Sequence, residues 1–113
     1  MVKIDSVRFG EIVIDGKTYF SDVTVYWDGT IEHREKDIVV GMEEISRVLG
    51  RKINILVVGT GIRGSLELTE RVRDLLEGMK IKTFELKSAD AIELFNSFAS
   101  QGRRAAAIIR TMG

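Results

Sequence analysis

Ile53-Asn-Ile-Leu-Val-Val-Gly-Thr-Gly-Ile-Arg-Gly64 is the stretch on which the reading of this chain turns. Its apolar first half, rich in β-branched residues, reads as a strand over residues 53–58 buried on both faces. The glycines then break the run where the backbone needs a positive φ or must approach something closely. In an open α/β sheet the carboxyl end of such a strand is where ligands sit. Gly59, Thr60, Gly61, Arg63 and Gly64 are therefore the first candidate ligand-binding residues.

The pattern after this strand alternates between helix and strand. Thr69 is placed to cap a helix over residues 70–77, with Val72, Leu75 and Leu76 inward and Gly78 at its end. A strand follows over 81–86. Ser88 then caps a helix running to about Gln101, with a stripe of Ala91 (or Ile92), Phe95, Phe98 and Ala99, and Gly102 stops it. The last strand covers 105–109, and its three alanines imply a neighbour packed very close.

Upstream, the chain reads as an antiparallel meander. Asp15-Gly16 and Asp28-Gly29 are hairpin-turn pairs, and residues 7–14, 17–20, 23–27 and 30–35 form the strands around them. Val23, Val25 and Trp27 share one face of the third strand. A connector over 36–41 leads to a helix at 42–49, with Gly50 as its left-handed stop. Strands alternating with helices imply parallel pairing with right-handed crossovers. The expected fold is one α/β domain over residues 1–113. It has three layers: a mixed, mostly parallel central sheet with helices, plus an N-terminal antiparallel β-meander.

Composition narrows the functional classes. Lys plus Arg equals Asp plus Glu at 17 each, so no global field draws the chain to nucleic acid or anionic lipid. Absence of cysteine excludes a disulfide framework, thiol catalysis and a Cys-based metal site. A single histidine, His33, excludes a multi-His centre within one chain. No apolar run approaches the ~20 residues of a membrane span, and no signal-peptide pattern is present. The expectation is a soluble cytoplasmic protein with no metal, no cofactor and no membrane or nucleic-acid partner.

Gly59-Thr-Gly-Ile-Arg-Gly64 satisfies G-x-G-x-x-G after a strand, and Glu85 falls near the position of a ribose-binding acid. A dinucleotide site, however, needs its helix to begin inside the glycines. Here Ser65-Leu-Glu-Leu68 intervenes before Thr69, so a tight turn is the better reading. Arg63, Lys87 and the helix start at Ser88 make a small anion the first candidate ligand, although Asp90 in that helix's first turn would compete with it. Tyr19 and Asp22 read as a half-buried ring and a turn aspartate, and Phe9, Phe20, Trp27, Phe84, Phe95 and Phe98 as core. Arg103, Arg104 and Arg110 form a cluster too small to bind nucleic acid. No nucleophile stands beside a base, and no carboxylate pair stands out. A binding module is favoured over an enzyme, and its partner would be a protein or a second copy of the chain. The candidate interaction surface is Tyr19, Phe20 and Tyr26 on the meander.

Several positions occur together in a recognisable order: Phe9-Gly10, Tyr19-x-x-Asp22, Gly29, Arg34, Gly59-x-Gly61 and Leu86-x-Ser88-x-x-Ala91-x-x-x-Phe95-Asn96. The series resembles the small α/β domain family of mitochondrial complex I assembly factor 3 and the adipogenesis-associated domain protein. That resemblance implies a three-layer fold with a mixed sheet and a role in assembly or regulation without a defined catalytic activity. Relatives often carry Trp where His33 stands and Thr where Ser88 stands. Arg110-Thr-Met-Gly113 replaces their His-x-Thr-Cys type of ending.

Overall fold

A computed structural model describes residues 1–113. The chain opens with three short strands, β1 (Ile4–Arg8), β2 (Glu11–Ile14) and β3 (Lys17–Tyr19), which form their own antiparallel sheet. The second turn places both Asp15 (φ 49°) and Gly16 (φ 79°) in the left-handed region, as a tight hairpin requires. The next hairpin, β4 (Asp22–Tyr26) and β5 (Ile31–Arg34), leaves that sheet and joins another. Within the connector, β6 (Val39–Val40) precedes α1 (Met42–Leu49). There follow β7 (Ile55–Gly59), β8 (Glu67–Leu68), α2 (Glu70–Gly78), β9 (Lys82–Leu86), α3 (Ser88–Ser100) and β10 (Ala105–Ile109).

The central sheet has the order β5-β4-β10-β7-β9. β10 pairs parallel with β7, and β7 with β9, while β4 and β5 continue the sheet antiparallel. The three strands that alternate with helices therefore pair in parallel, as expected, with β7 between β9 and β10, and the meander is split between this sheet and a smaller one. β6 and β8 add a two-stranded parallel ladder.

Period-two alternation divides the core between the two faces of the sheet. Ile55 and Val57 of β7, Ala105, Ala107 and Ile109 of β10, and Val23 and Val25 of β4 face α3 and the N-terminal sheet. Leu56 and Val58, Ala106 and Ile108, and Tyr26 face α1 and α2. The alanines of β10 admit Ala91, Phe95 and Ala99 of α3 at close range, as their small size implied. Asn96 fastens β1 across α3 by accepting from the Ile4 amide and donating to its carbonyl, each at 2.8 Å.

Local expectations need correction at several points. Phe9 and Phe20 are exposed at turns instead of buried. Tyr26 is fully buried and belongs to no surface, whereas Trp27 packs, half-buried, against the α1/α2 face instead of beside Val23 and Val25. Thr69 does cap α2, its hydroxyl accepting from the Val72 amide at 3.2 Å. Ser88 is instead the first residue of α3; Lys87 holds the cap position and makes no side-chain cap bond. Gly50 is right-handed (φ −60°), and the left-handed residue comes two positions later, at Lys52 (φ 58°).

Candidate functional site at the carboxyl end of the sheet

β10, β7 and β9 all end at one edge of the molecule, where antiparallel β4 begins and β5 ends. This edge gathers most positions that carried the family resemblance. Gly10 donates its amide to the Thr111 carbonyl at 3.0 Å, Asp22 faces Arg34 across the hairpin, and Gly59, Gly61 and Ser88 meet beside them.

The glycine loop is shaped by what lies against it. A Cβ on Gly59 would stand 2.8 Å from Ile109 Cδ1 and 3.0 Å from Ser88 Oγ. Gly61 combines a φ of +108° with an even closer neighbour, since its Cβ would meet the Met112 carbonyl oxygen at 2.4 Å. The Ser88 hydroxyl accepts from the Gly61 amide at 2.9 Å and donates to the Arg110 carbonyl at 2.6 Å. Thr60 donates both its amide and its hydroxyl to the Leu86 carbonyl. Ile62 donates to Met112, and Arg63 and Ser65 both donate to the Gly113 carbonyl, at 3.1 and 3.2 Å. Residues 112–113 thus lie along the loop amides. Gly64 (φ 78°) turns the chain toward β8, and α2 starts only at Glu70, too late for a dinucleotide fingerprint. Arg63 and Lys87 point outward, exposed and outside the ion pairs of the protein.

Beside the loop is a buried charge cluster that sequence reading did not assemble. The Asp22 carboxylate, fully shielded from solvent, accepts from the Thr111 amide at 2.9 Å and hydroxyl at 3.0 Å. Its other oxygen faces Arg34 Nη1 at 3.3 Å and Arg110 Nη1 at 3.7 Å. Arg34 also grips Glu44 of α1 in a forked pair at 2.7 and 3.2 Å. Nη2 also donates to the Val39 carbonyl, and Nη1 shares its two protons among Asp22 and the carbonyls of Glu35 and Asp37. One guanidinium therefore shapes the whole connector to α1, which suits its rigid planar fork. Arg110 is less complete: Nε donates to Ser65 Oγ at 2.9 Å, but buried Nη1 has no hydrogen-bond partner.

A polar cleft of about 700 Å³ runs between β5 and α1, its lining including Glu32, Glu35, Asp37, Glu43, Glu44 and Arg47. Behind this lining, buried Tyr26 donates to Glu32 at 2.9 Å, and Arg51 stacks over the Tyr26 ring at 4.8 Å. Burial, reinforced by the Glu32 hydrogen bond, pushes the Tyr26 phenol well above its ordinary range. Asp28, which turns this hairpin, is held below the usual carboxylate value mainly by the Thr30 amide.

The candidate interaction residues are thus separated. Tyr26 is buried; Tyr19 is half-buried with its ring edge-on to His33 at 6.2 Å; Phe20 is 73% exposed. Phe9, 67% exposed, and Ile62, 42%, join Phe20 at the same edge. Each lies within two residues of a group bonded to Thr111 or Met112. A signal for the charge cluster was available: counting outward equally from the Asp28 turn pairs Asp22 with Arg34.

A family model described as "protein of unknown function" (DUF498/DUF598) matches residues 4–110. The chain belongs to that family. Solved structures of similar proteins share its fold over essentially full length. A conserved hypothetical protein of Pyrococcus horikoshii is 32% identical over 98% of this chain and 99% of its own, with a TM-score of 0.87. A protein called MT938 is 30% identical over the whole of both chains, with a TM-score of 0.82. A protein described as an outer membrane protein of Bartonella henselae is 25% identical over 99% and 96%, with a TM-score of 0.82. No helix of this DUF498/DUF598 member is long and apolar enough to cross a membrane.

Proposed function

We propose that this DUF498/DUF598 protein is a non-catalytic binding module that docks a protein partner at the carboxyl edge of its central sheet. The observation that carries this reading is the contrast at that edge. Phe9 and Phe20 are exposed by 67% and 73%, while Asp22, Arg34, Ser88 and the loop amides are spent on holding the fold. Large exposed aromatics close together are what an interface core uses. The resemblance to complex I assembly factor 3 and the adipogenesis-associated domain protein supports an assembly role by analogy. The balance of 17 basic and 17 acidic residues favours a protein partner over a polyanion, and the cytoplasm is the compartment we assign. Affinity capture from the native host with wild-type and Phe20→Glu proteins tests the reading. Wild type should retain a partner that the variant loses while keeping the same melting temperature. Equal capture by both would remove this surface from consideration.

A second reading, a small-anion site at Gly59, Thr60, Gly61, Arg63, Gly64, Lys87 and Ser88, is favoured by one observation. The Arg63 and Ser65 amides converge on the single Gly113 oxygen, and the Arg110 guanidinium is held nearby by its Nε bond to Ser65 Oγ. Inorganic phosphate titrated against the folded protein, followed at those amides, tests it.

A further inference from the structure

We propose that the polar cleft between β5 and α1 binds a linear polyamine, at a site separate from the docking edge and from the glycine loop. Its floor is Thr24. Val23 and Val25 turn to the α3 face of the central sheet, so Thr24 between them turns to α1, where it lines the cleft. Only 4% of Thr24 is exposed, yet its hydroxyl, open to the cleft, makes no hydrogen bond within the protein. Glu32 stands directly across the ladder from it, and such partners on one face lie about 5 Å apart at Cβ. One Glu32 oxygen accepts from Tyr26, and the other is unengaged. A hydroxyl acceptor beside a free carboxylate oxygen suits a primary ammonium, which has three donors and no acceptor.

The charges around the cleft leave it acidic. Arg34 is neutralised within its own cluster by Asp22 and Glu44, and Arg47 of α1 pairs with Glu43 at 3.7 Å. Arg51, over the Tyr26 ring, is tied to Asp28. Glu32, Glu35 and Asp37 belong to no ion pair, so their negative charges face the cleft uncompensated. They are strung along the chain and do not converge as metal ligands do. Glu35 follows Glu32 at a spacing of roughly 10 Å if the strand is extended. A matching ligand must therefore spread its positive charge along a chain. One ammonium of a polyamine would sit at Thr24 and Glu32 and another toward Glu35 and Asp37, with the methylenes between them against Val39 and Val48. The cleft volume of about 700 Å³ lies in the range of small-molecule sites.

The test is calorimetric titration of the full chain with spermidine at constant ionic strength. Saturable one-to-one binding is expected, weakened about ten-fold by Thr24→Val and by Glu32→Gln and retained by Thr24→Ser. Valine nearly matches threonine in shape and removes a hydroxyl the fold does not use, so Thr24→Val should melt no lower than wild type. Glutamine keeps an acceptor for Tyr26 while removing the charge. Glu93→Gln, at an exposed acid on α3 across the sheet, should leave affinity unchanged. Absence of spermidine binding overturns the proposal. Equal weakening by Glu93→Gln, or full displacement by Mg²⁺ at the same ionic strength, reduces the effect to diffuse attraction and overturns the site. A Thr24→Val protein that binds like wild type, or that melts clearly lower, overturns it as well. If Glu32→Gln does not fold, the two Thr24 variants decide alone.

Discussion

Gly61 and Gly10 both have positive φ, yet their surroundings differ completely. A Cβ on Gly10 (φ +82°) meets nothing within 4 Å, whereas one on Gly61 runs into the backbone of Met112 and Gly113 at 2.4 and 2.6 Å. Gly10→Ala should therefore cost only the left-handed backbone term, about 1–2 kcal/mol. Gly61→Ala should cost more, because residues 112–113 must also move; urea denaturation of the two variants measures the difference. Asp22 is a second sharp case. Asp22→Ala leaves Arg34 and Arg110 facing each other in a closed site, a loss of about 3–5 kcal/mol by analogy with broken buried pairs. A denaturation midpoint close to wild type would show that water enters the site and compensates. The glycine break was legible because Gly leaves a mark in any sequence. Asp22 was legible as a turn residue only, since its partners lie 12 and 89 residues away and are set by sheet order.

At the scale of elements, hydrophobic period gave every helix and every strand of the central sheet, because burial on one face or two is written into residue spacing. Helix ends were read less well. Gly50 was read as a left-handed stop and Gly78 as the end of its helix, but the chain continues in one further tight turn after each. The left-handed φ falls on Lys52 and Lys80, both at 58°. There the Ile81 amide reaches back to the Leu76 carbonyl at 2.9 Å, closing the end of α2. Both lysines are exposed. Lys52→Gly and Lys80→Gly should each raise stability by about 1 kcal/mol, since glycine adopts this region without the Cβ penalty. Thermal melts of the two single variants check it, and a lower melting temperature in either would mean the lysine makes a contact worth more than its strain. The ladder β6–β8, two residues per strand, was invisible because pairs so short have no periodicity.

Across the whole molecule, the fold class was legible and the distribution of aromatic residues was not. Phe9 and Phe20 looked like core by type alone, but turn positions place them outside, while Tyr26 is drawn in because both faces of β4 are covered. That burial has a pH consequence. The native-state pKa of Tyr26 is raised above its unfolded value, so the stability it confers is complete below about pH 10 and is lost as pH rises through the folded value. In a Tyr19→Phe background, phenolate absorbance should appear only together with loss of circular dichroism in alkali. Ionisation preceding unfolding would mean the ring is open to solvent.

The position of β10 between β4 and β7 carries a consequence for synthesis. A nascent chain that has emerged only as far as α3 holds both neighbours of the missing strand, each an apolar run whose inner edge has no ladder. Two sticky edges exposed together invite pairing between polysomal neighbours. Closure must then join residues as far apart as Asp22 and Thr111, which slows folding to the millisecond-to-second range of strongly non-local topologies. Until residues 105–109 arrive, the half-made sheet keeps both inner edges open.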